Sequence, residues 1–360
     1  MADQVNFCSK CGNTISFPED NFIPAKCDSC GMQQILQFNH KDLHFERLVA
    51  ASSLFYIYRG YHTKQKLFLL ITVLRQDIKD YDWNLSVVKE QAESLTKLTH
   101  INICPLFAHG YLDDYFYIAH PRMDGYKLSN YDPQSHGLMD ISKMVEVVQS
   151  AALGMAVAHY NEFTHHNICP DNIHIDARGM IRVNDFFLSR FIYAYDQRRI
   201  KNENKIFISV PVHYISPEKA ESGLEDHRGD IFSFGVMMYY LLTGEYPFEG
   251  SEILETIYTR IKQPAKKEDI ITGNNSFPDY VPPAEPKALR PEIPEDLSEL
   301  ILQMLAYYPN NRPSFTEIIN VFNLLRAKVD QKKIRNIQET IIDTETRDIP
   351  KMDPISPEFR

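Results

Sequence analysis

The run Ile231–Leu242 constrains the fold more than any other part of the chain, because it is uncharged and largely apolar on every side. A helix of that composition offers no face to water and must lie inside a shell of other elements. It is too short to cross a bilayer, which takes roughly 18 apolar residues, so it reads as the central helix of a helical lobe. Upstream, Leu54–Tyr58 and Leu67–Leu74 are apolar, β-branched or aromatic, and predict strands. Leu85, Val88, Ala92, Leu95 and Leu98 recur at three- and four-residue steps and make one helical face. Ile141, Met144, Val145, Val148, Ala152 and Met155 mark a second, longer amphipathic helix. Strands first and helices later predict an α+β protein with a sheet-rich lobe and a helix-rich lobe. The proline-rich stretch Pro264–Pro294, which includes Gly273, Asn274 and Asn275, predicts a long surface loop.

A length of 360 residues accommodates one large domain and a small appendage. The division falls into residues 1–36, a main domain at 44–328 (lobes about 44–122 and 123–328), and a charged tail at 329–360. The net charge of −10 disfavours non-specific binding to nucleic acid or to an anionic membrane. Met1 to Phe7 carries an acid and no long apolar core, so no secretory signal is expected there. A cytoplasmic protein without membrane attachment is the expectation.

The first segment is organised by two pairs, Cys8 with Cys11 and Cys27 with Cys30, each followed by glycine (Gly12 and Gly31). Two sulfurs three residues apart can grip one metal from a tight turn, and glycine lets the backbone reverse with positive φ just beyond. The fifteen residues between the knuckles suit a short hairpin that brings four thiolates around a tetrahedral zinc. Such a closed shell has no open position, so the zinc is expected to be structural, in a ribbon fold. Lys10 and Lys26, each beside a ligand, would offset part of its negative charge. The alternative reading is two redox Cys-x-x-Cys motifs. Residues 1–40 hold two lysines against four acids, which is not a phosphate-binding surface.

Downstream, the run His165–Asn172 (HHNICPDN) stands beside the pattern H-R-D-L-K-P-x-N, and Val183–Arg190 (VNDFFLSR) beside a D-F-G segment. Tyr214–Glu218 (YISPE) stands beside A-P-E, and is followed by Asp230–Gly235 (DIFSFG), Leu241–Phe248 (LLTGEYPF) and Pro309–Pro313 (PNNRP). Taken in order, these motifs resemble the Ser/Thr protein kinases, particularly the eukaryotic-like kinases of bacteria, over roughly residues 44–328. The resemblance implies a bilobal kinase fold. It also implies that Glu218 and Arg312 form a buried ion pair, that Asp230 holds the catalytic-loop backbone, and that His165 is a packing residue.

Measured against that family, the groups that transfer phosphate are missing. The glycine turn over the nucleotide maps to Ala50, Ser52 and Phe55, and no glycine occurs between Val49 and Tyr58. The strand lysine that would reach the phosphates maps to Thr72. Lys66 shares that face six residues back, roughly 20 Å along a strand, too far to substitute. The helix glutamate that would pair with the lysine maps to Gln91, and neighbouring Glu90 and Glu93 are rotated away, about 100° per residue. The catalytic base position is Asn167, whose amide cannot accept a proton usefully at neutral pH. Cys169 stands where a lysine would approach the γ-phosphate, and His166 where an arginine would read a phosphorylated activation loop. Phe187 replaces the glycine after Asp185 and Phe186. Asn172 and Asp185 survive as positions for Mg-ATP, and Pro121, after His120, still offers a hinge carbonyl to adenine. Cys104 and Cys169 are expected to be buried, inert thiols.

Three functions follow from the resemblance and its losses: a pseudokinase that acts as a binding or regulatory scaffold for protein partners in signalling, a weakly active Ser/Thr kinase, and an ATP-binding sensor relying on Asp185 and Asn172.

Overall fold

A computed structural model describes residues 6–75, 85–203, 209–248 and 283–327. The tail at 329–360 and most of the Pro264–Pro294 stretch, up to 282, lie outside the described residues; beyond them, Pro286–Leu289 is a short helix rather than loop.

The N-terminal segment is two two-residue hairpins, β1 (Asn6–Phe7) with β2 (Thr14–Ile15) and β3 (Ala25–Lys26) with β4 (Gln33–Gln34). A main sheet follows, made of β5 (Phe38–His40), β6 (Leu43–Ala51), β7 (Phe55–His62), β8 (Leu67–Leu74), β9 (Ala108–Leu112) and β10 (Tyr115–Pro121), in the order β5-β6-β7-β8-β10-β9. Helix α1 (Leu85–Leu95) lies between β8 and β9 in sequence. The strand predicted at Leu54–Tyr58 is β7, which runs on to His62; that at Leu67–Leu74 is β8 at those bounds; and the helix predicted over Leu85–Leu98 is α1, which ends at Leu95.

Period-two alternation explains why β8 is apolar throughout. Leu69, Ile71 and Val73 face an aromatic cluster on one side of the sheet, whereas Leu70 and Thr72 face the cleft on the other. The aromatic side is closed by the N-terminal segment itself. Phe22, from the loop between the two cysteine knuckles, lies 4% exposed against Phe38, Phe45 and Tyr115. The Tyr58 hydroxyl donates to the Phe22 carbonyl at 2.5 Å, and the Tyr115 hydroxyl to Asp20 Oδ2 at 2.6 Å. The segment is thus stitched onto the sheet, and β5, from the span between 36 and 44, is the sheet's edge strand.

The second lobe begins with a three-stranded antiparallel sheet in which β12 (Ile173–Asp176) pairs with β11 (Gly125–Lys127) on one side and β13 (Ile181–Val183) on the other. Its helices are α2 (Pro133–His136), α3 (Ile141–Tyr160), α4 (Phe186–Glu203), α5 (Pro217–Ser222) and α6 (His227–Thr243), followed by Glu295–Met304 and a helix spanning 315–327. As expected, α6 is buried on every side, with Phe232, Phe234, Met237 and Leu241 within the main core. Among the described residues, α3 is the one helix long and apolar enough to cross a membrane, and Met144, Val148, Ala152 and Met155 place it in the same core.

Helix α4 was not foreseen. Where the family resemblance implies an activation segment leading from Asp185, the chain coils for 18 residues. Phe187 is 1% exposed and stacks on Phe116 and Phe191, both at 6.1 Å between centroids. The residue expected only to stiffen the backbone is therefore also the anchor that seats α4 between the lobes.

Candidate functional site: a kinase-type cleft and a four-cysteine cluster

In the N-terminal segment, the two knuckles adopt the same turn. Cys8 N donates to Asn13 O, and Gly12 N returns to Cys8 O; Cys27 N donates to Met32 O, and Gly31 N returns to Cys27 O. Gly12 and Gly31 take φ of 74° and 71°, the left-handed values predicted for them. The four sulfurs of Cys8, Cys11, Cys27 and Cys30 lie within 4.8 Å of one another, with Cys8–Cys30 at 3.5 Å and Cys11–Cys27 at 3.6 Å. A tetrahedral zinc with bonds of about 2.3 Å requires sulfurs about 3.8 Å apart. The cluster is therefore close enough to hold a metal such as zinc. Backbone N–H groups of Cys11 and Lys10 lower the Cys8 thiol pKa, whereas at Cys11 the backbone bond from Asn13 is outweighed by burial and the neighbouring thiols, which push it up to about 12.

Between the lobes lies a cleft of about 360 Å³. Thr72, Asn172 and Asp185 all line it, so the structure brings together three positions singled out in sequence. Thr72 is 3% exposed on β8, opposite Ile57 and Ile118. Lys66 is not on the strand: it sits in the turn before β8 at φ 56°, exposed, so the face it was expected to share with Thr72 does not exist. Gln91 is half-buried on α1, while Glu90 is exposed and Glu93 pairs with Lys89 at 3.5 Å; none of the three helix side chains lines the cleft.

The turn between β6 and β7 shows what replaces the glycines. Ser52 Oγ accepts from Leu54 N and Phe55 N, both at 3.1 Å, and Ser52 N donates to Phe55 O. The N–H groups that a phosphate-cradling turn would aim at oxygen are already satisfied by a hydroxyl. Phe55 is partly buried against the main core.

On the other lobe, Asn172 Nδ2 donates to Asn167 O at 2.8 Å, and Asn184 N donates to Asn172 O at 2.8 Å. Asp185 adopts φ 69°, a conformation that Asp tolerates better than most side chains. Desolvation raises its pKa to about 6, against the attraction of Lys127. Lys127, on β11, was not singled out in sequence; it lines the cleft mouth 3.6 Å from Asp171. Only the pairing of β11 with β12 brings it there. Cys169 and Cys104 are buried, as expected, and burial pushes their thiols up to about 11 and about 12, which disfavours the thiolate.

Beneath the cleft the supporting network is intact. Asp230 Oδ2 accepts from His165 N at 2.7 Å and Oδ1 from His166 N at 2.8 Å, with His159 Nε2 at 2.9 Å. Burial works to raise the Asp230 pKa, but the hydrogen bond from His159 and the neighbouring histidines hold it at about 2. Arg312 meets Glu218 through two parallel bonds of 2.7 and 2.8 Å. His166 stacks on Tyr193 of α4 at 3.7 Å and shares Glu225 with Lys219, so the position expected to read a phosphate is occupied by a buried internal network.

His165 gives this network a pH dependence. It is fully buried, its Nε2 lies 2.7 Å from Asn184 O, and burial lowers its pKa to about 4 although Asp230 opposes the shift. The unfolded chain binds the proton near pH 6.5 and the folded one does not. Stability from this residue is complete above about pH 6.5 and falls with pH until about 4, by about 3 kcal/mol. Asp185, raised to about 6, acts with the opposite sign over the same range, so the test is a difference: between pH 7.5 and pH 4.5 the wild type is expected to lose more stability to urea, or gain less, than His165→Phe, and equal changes in the two proteins contradict it.

Comparisons with known proteins agree with this geometry. The protein kinase domain model matches residues 55–322. The serine/threonine-protein kinase PrkC of Bacillus subtilis is 27% identical over 282 residues, 78% of this chain and 40% of that protein. PknB of Mycobacterium tuberculosis is 28% identical over 247 residues, 67% of this chain and 36% of that protein. The chain thus spans about two fifths or less of the length of these relatives. The kinase domain of Mycobacterium tuberculosis PknI superposes with a TM-score of 0.56 at 17% identity, covering 79% of this chain and 97% of that one. With the bilobal fold, the Asp230 clamp, the Glu218–Arg312 pair and a family match over most of its length, this chain belongs to the protein kinase family, with bacterial Ser/Thr kinases among its relatives.

Proposed function

We propose that this kinase domain is a pseudokinase: it does not transfer phosphate and instead serves as a regulatory scaffold for protein partners, with a structural zinc ribbon docked on its smaller lobe. The observation that carries the proposal is Thr72, a neutral side chain buried at the place in the cleft where the family's cation would meet the phosphates. Phosphoryl transfer depends on charge placed around the phosphates and a group to orient the hydroxyl. Here the cation is a threonine, the base is Asn167, and the turn amides are taken by Ser52. The groups that hold the fold together are kept, which supports selection for a shape that binds. The acidic net charge supports proteins rather than nucleic acid as partners, in the cytoplasm.

The convergence of Asn172 and Asp185 favours a second reading, a Mg-ATP sensor, since one carboxylate and one amide oxygen can hold Mg²⁺ weakly. Intact mass after incubation with Mg-ATP separates transfer from binding. The wild-type chain is expected to gain no phosphate, like Asp185→Ala; phosphate gained by the wild type and lost in Asp185→Ala would refute the pseudokinase reading.

A further inference from the structure

We propose that the cleft is a receptor site for an uncharged nucleoside rather than a nucleoside triphosphate, an inference that rests on the pseudokinase reading. The cleft is lined by two chemically different sets of side chains. Ile57 and Leu70 of the sheet, with Met123 and Leu188 of the other lobe, give apolar walls suited to a flat ring. Beside them stand the amides of Asn130, Asn172 and Asn184, which accept from and donate to hydroxyls, and the carboxylate of Asp185, which accepts from them. Asn184 Oδ1 is buried without a hydrogen-bond partner, an arrangement that costs stability until a donor arrives. A sugar hydroxyl is such a donor.

The charge balance disfavours phosphate. Asp185 and Asp171 face the cleft with Lys127 as the single ammonium among the described lining residues, and that ammonium lies 3.6 Å from Asp171. A triphosphate would add several negative charges to a site that already carries a net negative charge, with Thr72 neutral and the β6–β7 turn amides bonded to Ser52. A nucleoside keeps the ring and the hydroxyls and avoids that repulsion.

Calorimetric titration of the full chain with adenosine and with Mg-ATP tests the proposal. Adenosine is expected to bind one-to-one, unaffected by added Mg²⁺, and at least about tenfold more tightly than Mg-ATP. Thr72→Lys is expected to reverse that order by restoring a cation. Mg-ATP binding more tightly than adenosine to the wild-type chain, or no adenosine binding up to millimolar concentration, overturns the proposal. So does a Thr72→Lys protein that folds and retains the wild-type order. None of these outcomes yields labelled phosphate on a substrate, so failure of the nucleoside site and failure of the pseudokinase reading are told apart.

Discussion

Cys27→Ser is expected to leave the chain without stoichiometric zinc and to unfold residues 6 to about 36 while the helical lobe stays intact. The apolar cluster of that segment is built around Cys8, Ile15, Ala25 and Cys27, with Phe17 and Cys30 packed against it. Its strands are two residues long. A core that small does not sustain a fold without a metal or other covalent support, and structural zinc contributes about 10–16 kcal/mol in comparable zinc-finger peptides. The loss would reach the smaller lobe through Phe22, since a vacated aromatic site costs about 3–5 kcal/mol. Metal analysis together with limited proteolysis checks the expectation: cleavage confined to the first segment, followed by a lower urea midpoint for the remainder. Full zinc content in Cys27→Ser, or an unchanged protease pattern, would show that the four sulfurs do not form the structural site.

Glu218→Ala is expected to destabilise the helical lobe by about 3–5 kcal/mol, because it strands a buried guanidinium. The Arg312 side chain is fully buried, with its remaining bonds to the carbonyls of Ala306, Tyr307 and Arg228 and its cation 5.0 Å over the Phe232 ring. None of these carries the opposing charge. Removing both partners, as Glu218→Leu with Arg312→Met, is expected to recover much of the loss, since no charge is then left unpaired. Equilibrium urea unfolding of the two variants decides it. A single variant within about 0.5 kcal/mol of wild type would mean that the pair does not hold the lobe.

The parts of this molecule legible in sequence are those whose chemistry is carried by the residue itself. Cysteines at knuckle spacing, an uncharged helix, and the ordered set containing Asp230, Glu218 and Arg312 keep their meaning wherever the chain runs. Thr72 and Asn167 were legible for the same reason, as substitutions at positions fixed by neighbouring motifs. The features that were missed depend on tertiary pairing. Ser52 caps the β6–β7 turn only because the hairpin closes in that register. Phe22 reads as an isolated aromatic in a polar loop until the ribbon meets the sheet. Lys127 reaches the cleft through strand pairing, and Lys66 was misplaced because a positive-φ turn ends the alternation one residue after it. Helix α4 did leave a signal, Phe187, Phe191 and Tyr195 at four-residue steps, which the implied activation segment obscured.

Turnover of γ-labelled ATP by the purified wild-type chain, with Mg²⁺ and a generic peptide acceptor, bears most directly on the missing phosphoryl-transfer machinery. The expected rate is indistinguishable from that of Asp185→Ala. A rate in the range of working kinases, about 1–100 per second, would contradict it.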